Sequence, residues 1–317
     1  CVMEVSSQAL KLNRVAGIDF DYGVFTNISP DHIGPNEHKD FNEYMACKKH
    51  LFDFCKVGLF NKDDAHYEAF VKDIPCKVMT FSIEKDSDLK ANHIKLYNEA
   101  GELGITFDTT GLINAPFKAS MPGEFNAYNA LVAIMICYLI DIPTKDIQAT
   151  LPKVHVLGRG QVMHVSEDYS VIIDYAHNGV SFESIISTVE QYDPRRLIVV
   201  YGSGGKRSKT RRYESGEVVA KHGGYSILTE DNPRGEKIID ICNDIVVGIN
   251  KYHGEYTIIP NRKEAIYHAL DMAQKGDVVL LLGKGHETYL IGEDEVRRHF
   301  SETEVLEEYK KERGLNA

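Results

Sequence analysis

Val171-Ile172-Ile173-Asp174-Tyr175-Ala176-His177 and, one segment later, Leu197-Ile198-Val199-Val200-Tyr201-Gly202-Ser203-Gly204-Gly205-Lys206-Arg207 carry the pattern that decides the fold. Each begins as a short, β-branched apolar run and breaks into small and polar residues, and residues 180–191 between them have the period of an amphipathic helix. A strand apolar on both faces must be covered on both, which calls for helices above and below it. The rhythm continues with a helix over 211–222, a strand over 225–229, a helix over 236–250, a strand over 256–259, a helix over 262–275 and a strand over 278–282. This alternation predicts a parallel sheet with helices on both faces.

In such sheets ligands bind beyond the carboxyl ends of the strands, where loops gather around helix N-termini. The polar clusters of this half fall there. Asp174-Tyr175-Ala176-His177 follows the first strand, Gly202 to Arg207 the second, Glu230-Asp231-Asn232-Pro233-Arg234 the third and Gly283-Lys284-Gly285-His286-Glu287 the fifth. Each has a plainer reading. The glycine stretch fails the phosphate-loop pattern and reads equally as a tight turn. Asp231-Asn232-Pro233 suits a helix cap and turn, and Lys284, His286 and Glu287 suit a solvated loop. Their coincidence on one rim favours a site.

The first half is less regular. Residues 1–5 read as a strand, and the lack of an initiator methionine suggests a fragment or a processed piece. Runs at 23–26 and 57–60 read as strands, 77–107 as short strands with polar turns, and 126–140 as a long apolar helix. A stretch of weak period over 150–159 divides the chain into domains 1–155 and 156–317. Residues 39–55 have helical period, and at 100° per residue Phe41, Met45, Phe52 and Cys55 share a face on which Lys48 lies about 20° from Phe41. A lysine centred there is costly unless something uses it; the plainer reading is a stem that snorkels to water. Glu4 and Asp31-His32 place carboxylate and imidazole at two strand ends. That donor set suits Mg²⁺ or Mn²⁺, although each is also an ordinary cap or turn residue.

The 317 residues, 43% hydrophobic and 26% charged, suffice for cores in about two domains. No apolar run reaches the roughly 20 residues of a membrane helix and no signal-peptide pattern opens the chain, so a cytoplasmic protein is expected. The six cysteines lack the spacing of a disulfide framework or a zinc site. A net charge of −11 argues against general nucleic-acid binding, while the basic cluster at 206–212 could hold phosphate or carboxylate.

Together these residues resemble the Mur ligase family, the ATP-dependent amide-bond ligases of bacterial cell-wall precursor synthesis. The resemblance rests on Glu4-Val5-Ser6-Ser7, Thr26-Asn27-Ile28-Ser29-Pro30-Asp31-His32, residues 44–52, Gly123-Glu124-Phe125-Asn126-Ala127-Tyr128-Asn129, Gly158-Arg159, and the clusters at 174–177, 231–234 and 283–287. It implies an α/β chain: part of a central, ATPase-type domain, then a Rossmann-like C-terminal domain with a mainly parallel sheet. It also implies a reaction. ATP phosphorylates the D-Glu γ-carboxylate of UDP-MurNAc-L-Ala-D-Glu, and the amine of a diamino acid attacks the acyl phosphate to give an amide, ADP and phosphate. Mg²⁺ and cationic side chains would offset the repulsion of the gathered anions. The family's members are mostly monomers.

By motif match, Lys48 stands for the family's carbamylated, metal-supporting lysine, and Glu4 and His32 for its metal positions. Ser7 and Arg14 match contacts to the muramoyl peptide. Asn126 and Asn129 match residues near adenine, Arg159 a nucleotide-phosphate contact, and Asp174 and His177 the C-terminal domain's share of the nucleotide site. Asp231-Asn232-Pro233-Arg234 is the form found in members that add meso-diaminopimelate, whose second carboxylate a guanidinium can hold with two parallel hydrogen bonds. Arg212, Gly283 and Glu287 would complete that pocket, Glu287 taking the distal ammonium.

The sequence also departs from the family. A G-T-N-G-K-T phosphate loop and an N-terminal UDP-binding domain would both precede Cys1, so the chain alone is expected to be inactive. Gln8, Pro30, Leu157, Asn178-Gly179 and Ser208 replace commoner residues. These departures leave open a noncatalytic or divergent paralogue that binds a nucleotide or amino acid, or another amide ligase of the superfamily.

Overall fold

The computed structural model describes residues 1–30, 33–34 and 37–315. They form two compact units: Cys1–Ile94, Thr106–Lys118 and Phe125–Leu151 in one, Lys95–Ile105, Ala119–Glu124 and Pro152–Ala317 in the other.

The first unit runs through α1 (Ser7–Lys11), β1 (Phe20–Phe25), α2 (Phe41–Lys49), a 3₁₀ turn (His50–Phe54), β2 (Cys55–Asn61), α3 (Tyr67–Val71) and β3 (Lys77–Ser82). Next come β4 (Leu89–Glu99), β5 (Glu102–Gly111), β6 (Ala115–Ala119), α4 (Asn126–Leu139) and α5 (Thr144–Thr150), the far part of β4 and the start of β5 being grouped with the second unit. Strand order is β1-β2-β3-β4-β5-β6, with β1 to β4 paired in parallel. Phe25, Phe52, Phe60 and Phe70 form much of its core, Phe25 stacking on Phe70 with centroids 3.9 Å apart; each such burial stabilises the fold by about 1.5–3 kcal/mol.

Two expectations fail in this unit. Residues 1–5 are not a strand: Val2 is fully exposed, no regular structure precedes α1, and among the described residues no neighbouring strand pairs with the segment. The helix expected over 39–55 stops at Lys49. Its start is well defined, since Asp40 accepts from the Glu43 amide at 2.8 Å and the Glu43 carboxylate from the Lys39 amide at 2.7 Å. After Lys49 the chain tightens into the 3₁₀ turn and Cys55 opens β2. Phe52 and Cys55 are buried all the same, but from a turn and a strand, which a 100° period cannot register.

The second unit continues with β7 (Gln161–Met163), β8 (Ser170–Asp174), α6 (Gly179–Glu190), β9 (Arg196–Tyr201), α7 (Thr210–Lys221), β10 (Tyr225–Leu228), α8 (Ile238–Ile249) and β11 (Tyr256–Ile258). It ends with α9 (Arg262–Met272), β12 (Asp277–Leu282), the hairpin β13 (Tyr289–Ile291) and β14 (Arg297–His299), and α10 (Glu302–Arg313). The sheet has the order β11-β10-β9-β12-β8-β7, parallel except for β7. Phe182, Ile186, Val219 and Ile245 bring α6, α7 and α8 onto one face; Ala265, Leu270 and Leu306 bring α9 and α10 onto the other. The reversal of strand order explains the two layers, because right-handed crossovers change face when their direction changes. It also sets β8, β12, β9 and β10 side by side, so the loops beyond their carboxyl ends are neighbours.

The alternation read from residues 171–282 is this parallel sheet. The strands β7, β13 and β14 are too short to show a period, whereas Ser301-Glu302-Thr303-Glu304 is a capping sequence that marks α10. Among the described residues no helix is long and apolar enough to cross a membrane.

Candidate active site

The loops after β9 and β10 are packed on each other and are not independent turns. The Gly205 amide donates to the Asn232 carbonyl at 2.8 Å, and a side chain on Gly205 would run into the Pro233 carbonyl. The loop after β12 approaches as closely: Gly283 has φ +108°, and a Cβ there would lie 2.6 Å from the Asp231 carboxylate. Glycine is required at both places, by the close approach and, at Gly283, by the backbone as well.

Arg234 also adopts the left-handed backbone, φ +47°, which costs a non-glycine residue about 1–2 kcal/mol. Its guanidinium donates to the Gly205 carbonyl at 3.4 Å, and that of Arg212 to the Gly204 carbonyl at 3.4 Å. Both acid-binding candidates therefore point at adjacent peptide groups of one glycine loop. They differ in what else they hold. Arg212, 1% exposed, is paired with Asp244 and Glu236 at 2.9 Å each; among the described residues no carboxylate pairs with Arg234.

Glu287 is held beside them. Its Oε2 accepts from Lys284 Nζ at 2.8 Å and from Asn232 Nδ2 at 3.1 Å, its Oε1 from the Tyr289 hydroxyl at 3.3 Å. Burial alone would raise this carboxyl, but the hydrogen bond and charge of Lys284, with Asn232 and Tyr289, hold it below the usual range. Lys284 is completely buried and also donates to Asn232 Oδ1 at 3.3 Å. Tyr175 belongs to the same surroundings: burial pushes its hydroxyl up, and the charges of Glu287 and Asp231 push it further.

Of the nucleotide candidates, Asp174 ends β8, His177 follows it and Arg159 lies in the turn before β7. Burial raises the Asp174 carboxyl, against the Gly160 and Ala176 amides it accepts from at 2.6 and 2.7 Å and the charge of Arg159. Arg159 and His177 are exposed. His177 Nδ1 lies 3.0 Å from the Tyr175 carbonyl, which can only accept, so Nδ1 carries the hydrogen.

In the first unit, Ser7 is 3% exposed and its hydroxyl lies 2.9 Å from Nε2 of the buried His38. Arg14 is exposed in the turn after α1, and Glu4 is exposed ahead of it. Lys48 is half-buried, its ammonium 5.2 Å from the centre of the Tyr44 ring. Asn126 and Asn129 stand one turn apart at the start of α4, Asn129 donating to Asn126 at 2.8 Å. His32 lies outside the described residues. Sequence reasoning missed Lys284 and Tyr175 as members of the site; the only signal was their place inside the rim clusters.

The chain is a two-unit α/β protein with arginines and a held carboxylate on the rim of a parallel sheet. The family models described as "Mur ligase middle domain" and "Mur ligase, glutamate ligase domain" match residues 1–137 and 158–285. The chain belongs to the Mur ligase family. It is 42% identical, over 96% of its length and 63% of the relative's, to a UDP-N-acetylmuramoyl-L-alanyl-D-glutamate--2,6-diaminopimelate ligase of Clostridium perfringens. It is 39% identical, over 97% and 62%, to the ligase of the same name from Clostridium tetani. A solved structure of a ligase with that name superposes with a TM-score of 0.72 at 28% identity, over 98% of this chain and 64% of that one. The chain thus spans somewhat under two thirds of these relatives.

Proposed function

We propose that the chain is the amino-acid-binding part, and a portion of the ATP-handling part, of an ATP-dependent amide ligase that adds meso-diaminopimelate to the D-Glu γ-carboxylate of UDP-MurNAc-L-Ala-D-Glu. The observation that carries this reading is the convergence of Arg234 and Arg212 on one glycine loop. A diamino acid with a second carboxylate needs a guanidinium that is not already neutralised, and Arg234 meets that need. Asp231, Asn232 and Gly283 shape the pocket, and Glu287 takes the distal ammonium. The similarly named relatives support the same substrate pair.

Asn126 and Asn129 flank the adenine, Arg159 holds a phosphate, and Asp174 and His177 supply the second unit's contacts to the nucleotide. Ser7 and Arg14 bind the muramoyl peptide. Glu4 and a carbamylated Lys48 are oxygen donors of the class Mg²⁺ takes, and the ion, when bound, supplies charge neutralisation for the phosphoryl groups. Among the described residues no three His, Cys, Asp or Glu side chains gather.

The test is ADP release by the protein as it is made in the cell. Release is expected only when UDP-MurNAc-L-Ala-D-Glu and meso-diaminopimelate are both present, with L-lysine a poor substitute. Arg234→Ala is expected to lower kcat/KM for diaminopimelate by about tenfold to a hundredfold, the loss of one or two charge-assisted hydrogen bonds. Unchanged kcat/KM in that variant would remove the pocket assignment.

A further inference from the structure

Lys284 is unusual among the site residues. A lysine with no exposed surface must have its ammonium satisfied by the protein, and here the acceptors are Glu287 Oε2 at 2.8 Å and Asn232 Oδ1 at 3.3 Å. Asn232 is oriented in turn, since its Oδ1 also accepts from the Ile291 amide at 2.9 Å and its Nδ2 donates to the same Glu287 oxygen at 3.1 Å. Among the described residues Glu287 Oε2 therefore has two donors, whereas Oε1 has the Tyr289 hydroxyl alone, at 3.3 Å. The carboxylate is held more firmly through Oε2 than through Oε1.

We propose, resting on the reading above, that Lys284 is a positioning residue for diamino-acid recognition: it anchors Glu287 through Oε2 and Asn232 through its amide oxygen, so that Glu287 Oε1 faces the distal ammonium of the ligand. Lys284 does not touch the ligand. Its charge lets a half-buried carboxylate stay ionised, and its bond sets which oxygen is offered. Selectivity for a distal ammonium then depends on a lysine that repels one, because the geometry leaves the repelling group behind the carboxylate.

The test is calorimetric titration of the protein as it is made in the cell with meso-diaminopimelate and with 2-aminopimelate, which keeps both carboxylates and lacks the distal ammonium. The wild-type chain is expected to prefer diaminopimelate, with an affinity that is flat from pH 5 to pH 8. Lys284→Met is expected to lose tenfold or more for diaminopimelate and little for 2-aminopimelate. Its remaining affinity should fall as pH drops towards 5, because Glu287 without its partner is raised by burial and protonates. Lys284→Gln, which keeps a donor and removes the charge, covers the case that the methionine variant does not fold; it is expected to show the same pH dependence. Equal losses for both ligands, or an unchanged preference with a flat pH profile, overturns the proposal. A wild-type chain that binds neither ligand overturns the pocket assignment itself, and this proposal with it.

Discussion

Arg212 reaches the glycine loop already carrying two carboxylates, and they are not equivalent: Asp244 is 17% exposed and Glu236 is 34% exposed. In the proposed pocket an incoming ligand carboxylate would displace Glu236 at lower cost, which would make Glu236 a competitor for the guanidinium. Glu236→Gln is expected to tighten diaminopimelate binding by about threefold to tenfold, the share of a charge-assisted bond left after solvent screening, whereas Arg212→Ala weakens it. Unchanged affinity in Glu236→Gln, measured by the same titration, would make Arg212 a structural residue of the α7–α8 contact. At this scale the sequence is legible in placement, as at Asp231 and Arg234, which the strand reading sets just after β10. It is read poorly at Lys284. The default for a lysine between glycines is a solvated loop, and one of the acceptors that meet its buried ammonium is Asn232, 52 residues away in the chain.

The elements around the rim are tied by one buried ion pair. Arg262, at the start of α9, donates to the Leu282 carbonyl at 2.8 Å, to the Glu230 carbonyl at 3.0 Å and to Glu302 at 2.7 and 3.0 Å. It thus clamps the end of β12, the loop after β10 and the start of α10. Arg262→Met leaves the buried Glu302 unpaired and is expected to cost about 3–5 kcal/mol in urea unfolding. Burial raises the Glu302 carboxyl, with Arg262 opposing. Removing the arginine raises it further, so the protonated acid is favoured in the fold and the cost should shrink as pH falls from 8 to 5. Adding Glu302→Leu should recover much of the loss; a double variant as unstable as Arg262→Met would show that the backbone contacts, not the charge, hold the clamp. The strands that this pair ties together were legible from their apolar runs alone. The clamp was not, because an arginine and a glutamate 40 residues apart carry no periodic signal.

At the scale of the whole chain, the second unit is not a continuous stretch of sequence. Residues 95–105 and 119–124 group with it: Leu103 is completely buried in its core, and Tyr192 donates its hydroxyl to the Gly104 carbonyl at 3.0 Å while accepting from the Gly123 amide at 2.9 Å. A division drawn along the sequence has to be a point, and no composition shift near residue 155 reports on partners 69 and 88 residues upstream of Tyr192. The physical consequence is that a truncated chain of residues 156–317 keeps the parallel sheet but exposes the surface that Leu103 covers. It is expected to unfold at lower urea than the corresponding transition of the intact chain, by the roughly 1.5–3 kcal/mol of one buried leucine or more. Tyr192→Phe separates this from a general effect of cutting. In the intact chain it removes two hydrogen bonds and should cost about 1–3 kcal/mol; in the truncated chain, where both partners are gone, it should cost almost nothing. Equal effects in the two backgrounds would mean that the upstream segments add nothing to the second unit's stability and that it folds from residues 156–317 alone.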